Sequence, residues 1–403
     1  MTIASPSAVQ LPLATRIDGL RSEGAFEVLA SARALEQKGQ HILHLEIGEP
    51  DFPTAPHIVE AGVRALQNGE TKYGPAGGIL ALRTAIATHL VSHGIAAAPE
   101  DVVVTPGSKP ILFYAALALL ESGDEALIPD PAYPIYDSVV RFAGARPVTY
   151  RLDAASNFAP DIDAIAASIT SRTRVLFLNT PQNPTGGVID AERLAALARL
   201  AESHDLTVIV DEIYRPFNYA ASPVPSILSL PGMRERCILV DGFSKAYAMT
   251  GWRLGYGLLP TPLASRFALL ALNDHACVPA FVQRAGVAAL EGTQAPLHAM
   301  IAEFTARRQL IAERLAAIPG IRIAAPAGAF YAFPDVSAIT GAAGIGVAQL
   351  AAKLLKEYGV ALLPGTAFGA AGEGYLRLSF ATGRSDIERA LSLMQECFAS
   401  LAS

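Results

Sequence analysis

The chain has 403 residues, 51% of them hydrophobic and 17% charged, with a formal net charge of -6. That size allows a substantial core and two domains, and the mildly acidic balance excludes the basic footprint of a nucleic-acid binder. Three cysteines, Cys237, Cys277 and Cys397, lack metal-ligand or redox spacing, so no metal site is expected and each reads as a small core residue in a reducing cytoplasm.

Residues 1–13 lack a basic stretch followed by a long apolar one, and the apolar run 111–120 is too short to span a bilayer, so no targeting segment or membrane partner is expected. The first patterned element is an amphipathic helix over residues 24–37. Residues 102–105 read as a strand, which runs through Gly107-Ser108-Lys109 into an apolar helix over 111–120. Backbone N–H groups at a helix start bind anions, which makes this turn a candidate anion cradle.

Three further strands end in reactive side chains. Residues 174–178 lead into Asn179-Thr180-Pro181-Gln182-Asn183-Pro184-Thr185-Gly186-Gly187, and residues 207–210 lead into Asp211-Glu212-Ile213-Tyr214. Residues 237–240 lead into Asp241-Gly242-Phe243-Ser244-Lys245, followed by Thr250-Gly251-Trp252-Arg253-Leu254-Gly255. Continuous apolar runs of this kind are strands covered on both faces, and the helical patterns between them make the sheet parallel. In such sheets ligands lie beyond the carboxyl ends of the strands, so Asn183, Asp211, Tyr214 and Lys245 converge on one crevice.

Lys245 carries the sharpest chemistry. A partly desolvated lysine beside other cations favours its neutral amine, the form that condenses with an aldehyde, which suits a Schiff-base lysine. Ser244 and Arg253 supply a hydroxyl and a guanidinium for a dianionic phosphate. Towards the carboxyl end, residues 285–318 and 346–358 read as helices, and 375–380 as a strand carrying Arg377, whose planar fork suits a carboxylate.

Further stretches complete the pattern: His44-Leu45-Glu46-Ile47-Gly48-Glu49-Pro50-Asp51-Phe52, Lys72-Tyr73-Gly74-Pro75-Ala76-Gly77-Gly78, Thr105-Pro106-Gly107-Ser108-Lys109, Asp130-Pro131-Ala132-Tyr133-Pro134, Gly328-Ala329-Phe330-Tyr331 and Gly374-Tyr375-Leu376-Arg377-Leu378-Ser379. With the strand ends above, they resemble the class I/II aminotransferases, pyridoxal-phosphate enzymes of fold type I that include the aspartate aminotransferases. The resemblance covers nearly the whole chain.

It implies an α/β fold with a large domain built on a mostly parallel central sheet, over residues 50–290, and a smaller α+β domain from residues 1–49 and 291–403. It implies pyridoxal 5′-phosphate as cofactor, with Lys245 as its Schiff-base partner and proton carrier, Asp211 against the pyridine nitrogen, and Tyr214 and Asn183 on the phenolate oxygen. Tyr133 would lie flat on the ring, and Gly107, Ser108, Lys109, Ser244 and Arg253 would hold the phosphate. Arg377 and the backbone of Gly48, with Asn183, would hold the substrate's α-carboxylate. Tyr73 would reach the phosphate of a partner subunit, implying a homodimer with shared active sites.

The activity so implied is transfer of an amino group between an L-amino acid and a 2-oxo acid. β-Elimination, decarboxylation or racemisation would use the same residues and stands as the alternative. A regulatory module that binds the cofactor without catalysis is a further reading, to which an added DNA-binding domain or loss of the lysine would belong. Lys109 also matches a lysine that pairs with the distal carboxylate of aspartate, glutamate or prephenate in some members. The sequence departs from that pattern at Pro110 and at Glu23-Gly24-Ala25-Phe26, which lacks the small hydroxyl often found near the substrate side chain. Asn273-Asp274-His275-Ala276-Cys277, expected near a partner's site, is also unusual.

Overall fold

The computed structural model describes residues 12–220 and 225–401. Its main sheet contains seven strands, labelled here in chain order: β1 (Val102–Thr105), β2 (Glu125–Asp130), β3 (Arg146–Arg151), β4 (Thr173–Asn179), β5 (Thr207–Asp211), β6 (Cys237–Gly242) and β7 (Gly255–Leu258). They lie in the order β1-β7-β6-β5-β4-β2-β3. Neighbours are parallel except where β7 is involved, which runs antiparallel to both β1 and β6.

The continuous apolar character of β4 to β6 has a direct structural cause. Leu176, Leu178, Val208, Val210 and Leu239 bury into one core, while Val175, Phe177, Ile209, Ile238 and Val240 bury into another on the opposite face. Side chains alternate between faces, so a strand covered on both sides has no position left for a polar residue until it leaves the sheet. The polar residues therefore appear at the carboxyl ends, where Asn179 pairs in register with Asp211.

A third core lies against this layer. The helices Ala295–Ala316, Val347–Tyr358 and Arg384–Leu401 contribute Phe304, Ile311, Leu350, Leu354, Ile387 and Met394 to it, with Leu43 and Leu378 from short strands and Leu45 just beyond the first of them. Leu43–His44 pairs parallel with Val360–Ala361, and Leu376–Ser379 lies antiparallel between Leu363–Pro364 and Tyr331–Ala332. Ile213, Tyr214 and Phe217, just beyond β5, belong to this same core. The turn carrying Tyr214 is thus clamped where the two parts of the molecule meet.

The helical pattern over 285–318 resolves into two helices, Ala280–Glu291 and Ala295–Ala316. The break falls at Gly292, with Pro296 in the first turn of the second helix, where a missing N–H costs nothing. The helix read over 24–37 spans Gly24–Glu36, and the one read over 111–120 spans Lys109–Leu119.

Candidate active site

The carboxyl ends of β4, β5 and β6 open on a cavity of about 520 Å3. Gly48, Ser108, Lys109, Tyr133, Asn183, Asp211, Tyr214, Ser244, Lys245, Arg253 and Arg377 all line it. Gly107 lies beside it: its left-handed φ of +83° and missing Cβ leave room for Arg253, whose Nη2 would be 2.3 Å from a Cβ at that position. Tyr73 is not part of the cavity and is 91% exposed.

Lys245 Nζ donates to the carbonyl of Gly48 at 2.5 Å and lies 5.9 Å from the Tyr214 ring and 6.0 Å from the Phe330 ring. Burial pushes its amine down to about 8; Glu49 opposes that, while Arg377, Arg253 and Lys109 add to it. A substantial neutral fraction is therefore available near neutral pH.

Asp211, 5% exposed, accepts from the Tyr136 hydroxyl at 2.9 Å and from the Ile213 N–H at 3.2 Å. Burial lifts its carboxyl to about 6, and the Ile213 N–H, Tyr136 and Lys245 hold it from rising further. Tyr214 and Tyr331 share a hydroxyl–hydroxyl hydrogen bond of 2.6 Å. Burial pushes both phenols up, so both hold their protons and at least one is free to donate into the cavity.

Arg377 is 3% exposed, donates to the carbonyl of Glu46 and, at 3.5 Å, to Asn183 Oδ1, and faces the Tyr331 and Phe368 rings at 4.6 and 5.2 Å. Its Nε has no hydrogen-bond partner, and among the described residues no carboxylate pairs with it. A buried guanidinium without an anion is strongly unfavourable, so this one is built to receive an anionic ligand. Arg253, held by the carbonyls of Thr250 at 2.8 Å and Pro106 at 3.4 Å, likewise has no carboxylate partner among the described residues and adopts a left-handed φ of 54°. It stands at the start of the helix Lys109–Leu119, against the Gly107-Ser108 turn, which forms a second anion cradle.

Three residues on or behind the cavity wall had no assigned role in the sequence. Tyr331 closes the motif Gly328-Ala329-Phe330-Tyr331 and contacts both Tyr214 and Arg377. Tyr136, in the helix Ile135–Phe142, lies three positions beyond Tyr133, and the two rings sit 5.8 Å apart, edge to face. Glu23 precedes the helix Gly24–Glu36 and forms an ion pair with Lys109; no local pattern announces it, because its partner is 86 positions away.

The chain belongs to the aminotransferase class I and II family, whose model matches residues 40–393. It is 37% identical over 387 residues to the aspartate aminotransferase of Musicola paradisiaca, covering 95% of this chain and 96% of the relative. It is also 37% identical over 366 residues to aromatic-amino-acid aminotransferase 2 of Thermococcus litoralis, covering 90% of this chain and 93% of that one. The solved structure of the Thermus thermophilus aspartate aminotransferase with maleate superimposes with a TM-score of 0.91 at 35% identity, covering 96% of this chain and all of that one.

The fold is therefore fold type I, and the protein is a pyridoxal-phosphate-dependent aminotransferase. The cavity fits that cofactor: two cradles for anions, an amine of lowered pKa and a buried carboxyl all open on the same space. No single helix among the described residues is long and apolar enough to cross a membrane.

Proposed function

We propose that the cavity residues divide the work of transamination as follows. When bound, pyridoxal phosphate supplies an aldehyde that condenses with amines and a ring that accepts the electron pair released at the substrate α-carbon. The backbone N–H groups of Gly107, Ser108 and Lys109, with Ser244 and Arg253, would bind the phosphate, which leaves the Lys109 ammonium to the cavity wall. Asp211, as a carboxylate, would keep the ring nitrogen protonated, and Tyr214 and Asn183 would donate to the phenolate oxygen. Tyr133 would lie against the ring face.

Arg377 receives the α-carboxylate, which supplies the anion its buried guanidinium lacks, and the Gly48 backbone lies beside it. Lys245, anchored by the Gly48 carbonyl, would take the α-proton on Nζ and carry it between the α-carbon and the cofactor's C4′. A base must be neutral to act, and an amine lowered to about 8 meets that need close to physiological pH. The observation that carries the assignment is Lys245 lying in one cavity with Asp211 and with Arg377, which has no carboxylate partner among the described residues.

We further propose a division into a large domain over residues 50–290 and a small one from 1–49 and 291–403, as well as a cytoplasmic location. The exposed Tyr73 supports a homodimer in which that side chain reaches the neighbouring subunit's site. The decisive test is Lys245→Ala: it should lose amino-acid-dependent formation of a 2-oxo acid and the cofactor label fixed by borohydride, while keeping its circular dichroism spectrum. Transamination at the wild-type rate would reject the role of Lys245, and release of ammonia or carbon dioxide by the wild type would reject transamination as its main reaction.

A further inference from the structure

The cations around the cavity fall into two groups. Lys245, Arg253 and Arg377 have only carbonyl or amide partners in their own chain, with no carboxylate among the described residues. Arg253 and Arg377 therefore have capacity for an anion brought by a ligand. Lys109 differs, because Glu23 already neutralises it. Burial, together with the Glu23 carboxylate, also raises the neighbouring Tyr133 phenol, and both side chains line the same wall of the cavity.

Glu23 is held in this position. It immediately precedes the helix Gly24–Glu36, yet its side chain makes no capping hydrogen bond to that helix. Two residues upstream, Arg21 forms an ion pair with Asp137 at 3.1 Å and its N–H donates to Ser138 Oγ at 3.1 Å, tying the segment to the helix Ile135–Phe142. Lys109 is 38% and Glu23 22% exposed at the side chain, so the pair faces the cavity partly shielded from water.

We propose that Glu23 is a specificity-determining residue, an internal counter-ion that leaves the Lys109 wall neutral for substrates with uncharged side chains and makes a dicarboxylate displace it before pairing with Lys109. The inference rests on the aminotransferase reading and adds the substrate class the site favours. A distal carboxylate brought to Lys109 meets Glu23 as a like charge in a partly desolvated space, which weakens its binding. An uncharged side chain leaves the pair intact and pays neither repulsion nor loss of the hydrogen bond.

The test compares isosteres that differ only in charge. With purified holoenzyme, kcat/KM is measured for glutamate against glutamine and aspartate against asparagine in the wild type, Glu23→Gln, Glu23→Ala and the double variant Glu23→Gln/Lys109→Ala. Freeing Lys109 should raise the acid-to-amide ratio in both single variants by roughly 10-fold to 150-fold, the range for a hydrogen bond between charged groups. The double variant should lose that gain. Calorimetric titration of the same holoenzymes with maleate, a dicarboxylate that does not react, should show tightening by roughly 10-fold or more in both single variants. Unchanged ratios and unchanged maleate affinity in both would overturn the role of Glu23. If the wild type transaminates no amino acid at all, the aminotransferase reading fails instead, and the maleate titration still decides whether Glu23 opposes a dicarboxylate.

Discussion

The Tyr136 hydroxyl donates to Asp211 Oδ2 at 2.9 Å, and neither residue is more than 5% exposed. Together with the Ile213 N–H on Oδ1, this leaves the Asp211 carboxyl fixed on both oxygens. A carboxyl lifted to about 6 by burial lies near the pH at which the enzyme must keep it charged, so its hydrogen bonds decide whether it stays so. Tyr136 is in this sense a positioning residue for Asp211.

Tyr136→Phe removes a bond made to the ionised form of Asp211, which raises that carboxyl further. The acid limb of the kcat/KM profile should move to higher pH by about one unit, the equivalent of roughly 1.4 kcal/mol. A purely structural role would lower the melting temperature without moving that limb. A pH–rate profile of the variant beside the wild type distinguishes the two.

Lys245 links the site to stability. In the folded, cofactor-free protein its amine titrates near 8, whereas an unfolded lysine titrates near 10.4. Between these values the unfolded chain binds the extra proton, so stability rises with pH through this window. Below it the folded protein bears the full cost of a buried ammonium. Relative to Lys245→Met, the cofactor-free wild type should gain up to about 3 kcal/mol between about pH 7 and about pH 11, read from urea unfolding. A difference that stays flat would place the Lys245 amine at its ordinary value.

The central strands and the residues at their ends were legible because burial on both faces forces apolar runs, and those runs stop where Asn179, Asp211 and Asp241 begin. The antiparallel direction of β7 was not. Its four residues, Gly255-Tyr256-Gly257-Leu258, carry no directional signal, and space for them between β1 and β6 depends on glycine: a Cβ at Gly255 would lie 2.4 Å from the Gly107 backbone. Arg377 could be read as a carboxylate ligand from its motif. Its lack of a carboxylate partner among the described residues, and the presence of one for Lys109, could not, because both depend on contacts between distant segments.

Gly48 is fixed by contact rather than by backbone angle. A Cβ there would lie 1.9 Å from Tyr331 Oη and 2.7 Å from its Cζ, and Tyr331 is itself held by Tyr214 and Arg377. Gly48→Ala must displace that ring or the segment whose carbonyl anchors Lys245. A shift of about 1 Å at reacting groups can cost roughly 100-fold, so kcat/KM should fall by that order for every amino acid tested. Adding Tyr331→Phe should not restore it, since the ring carbon remains too close. Recovery in the double variant would show that only the hydroxyl was in the way.

Arg377 offers the converse of Glu23. The guanidinium can grip a carboxylate at two points, while a lysine at the same place offers a single ammonium and leaves the Glu46 carbonyl and the face of Tyr331 differently engaged. Arg377→Lys should therefore keep the charge and lose the orientation. Every α-amino acid carries the carboxylate proposed to bind Arg377, so kcat/KM for aspartate, alanine and phenylalanine should fall together, by roughly 10-fold to 150-fold, with their ratios preserved. Steady-state kinetics on the three substrates provides the check. A loss confined to aspartate would move Arg377 from the α-carboxylate to the distal one.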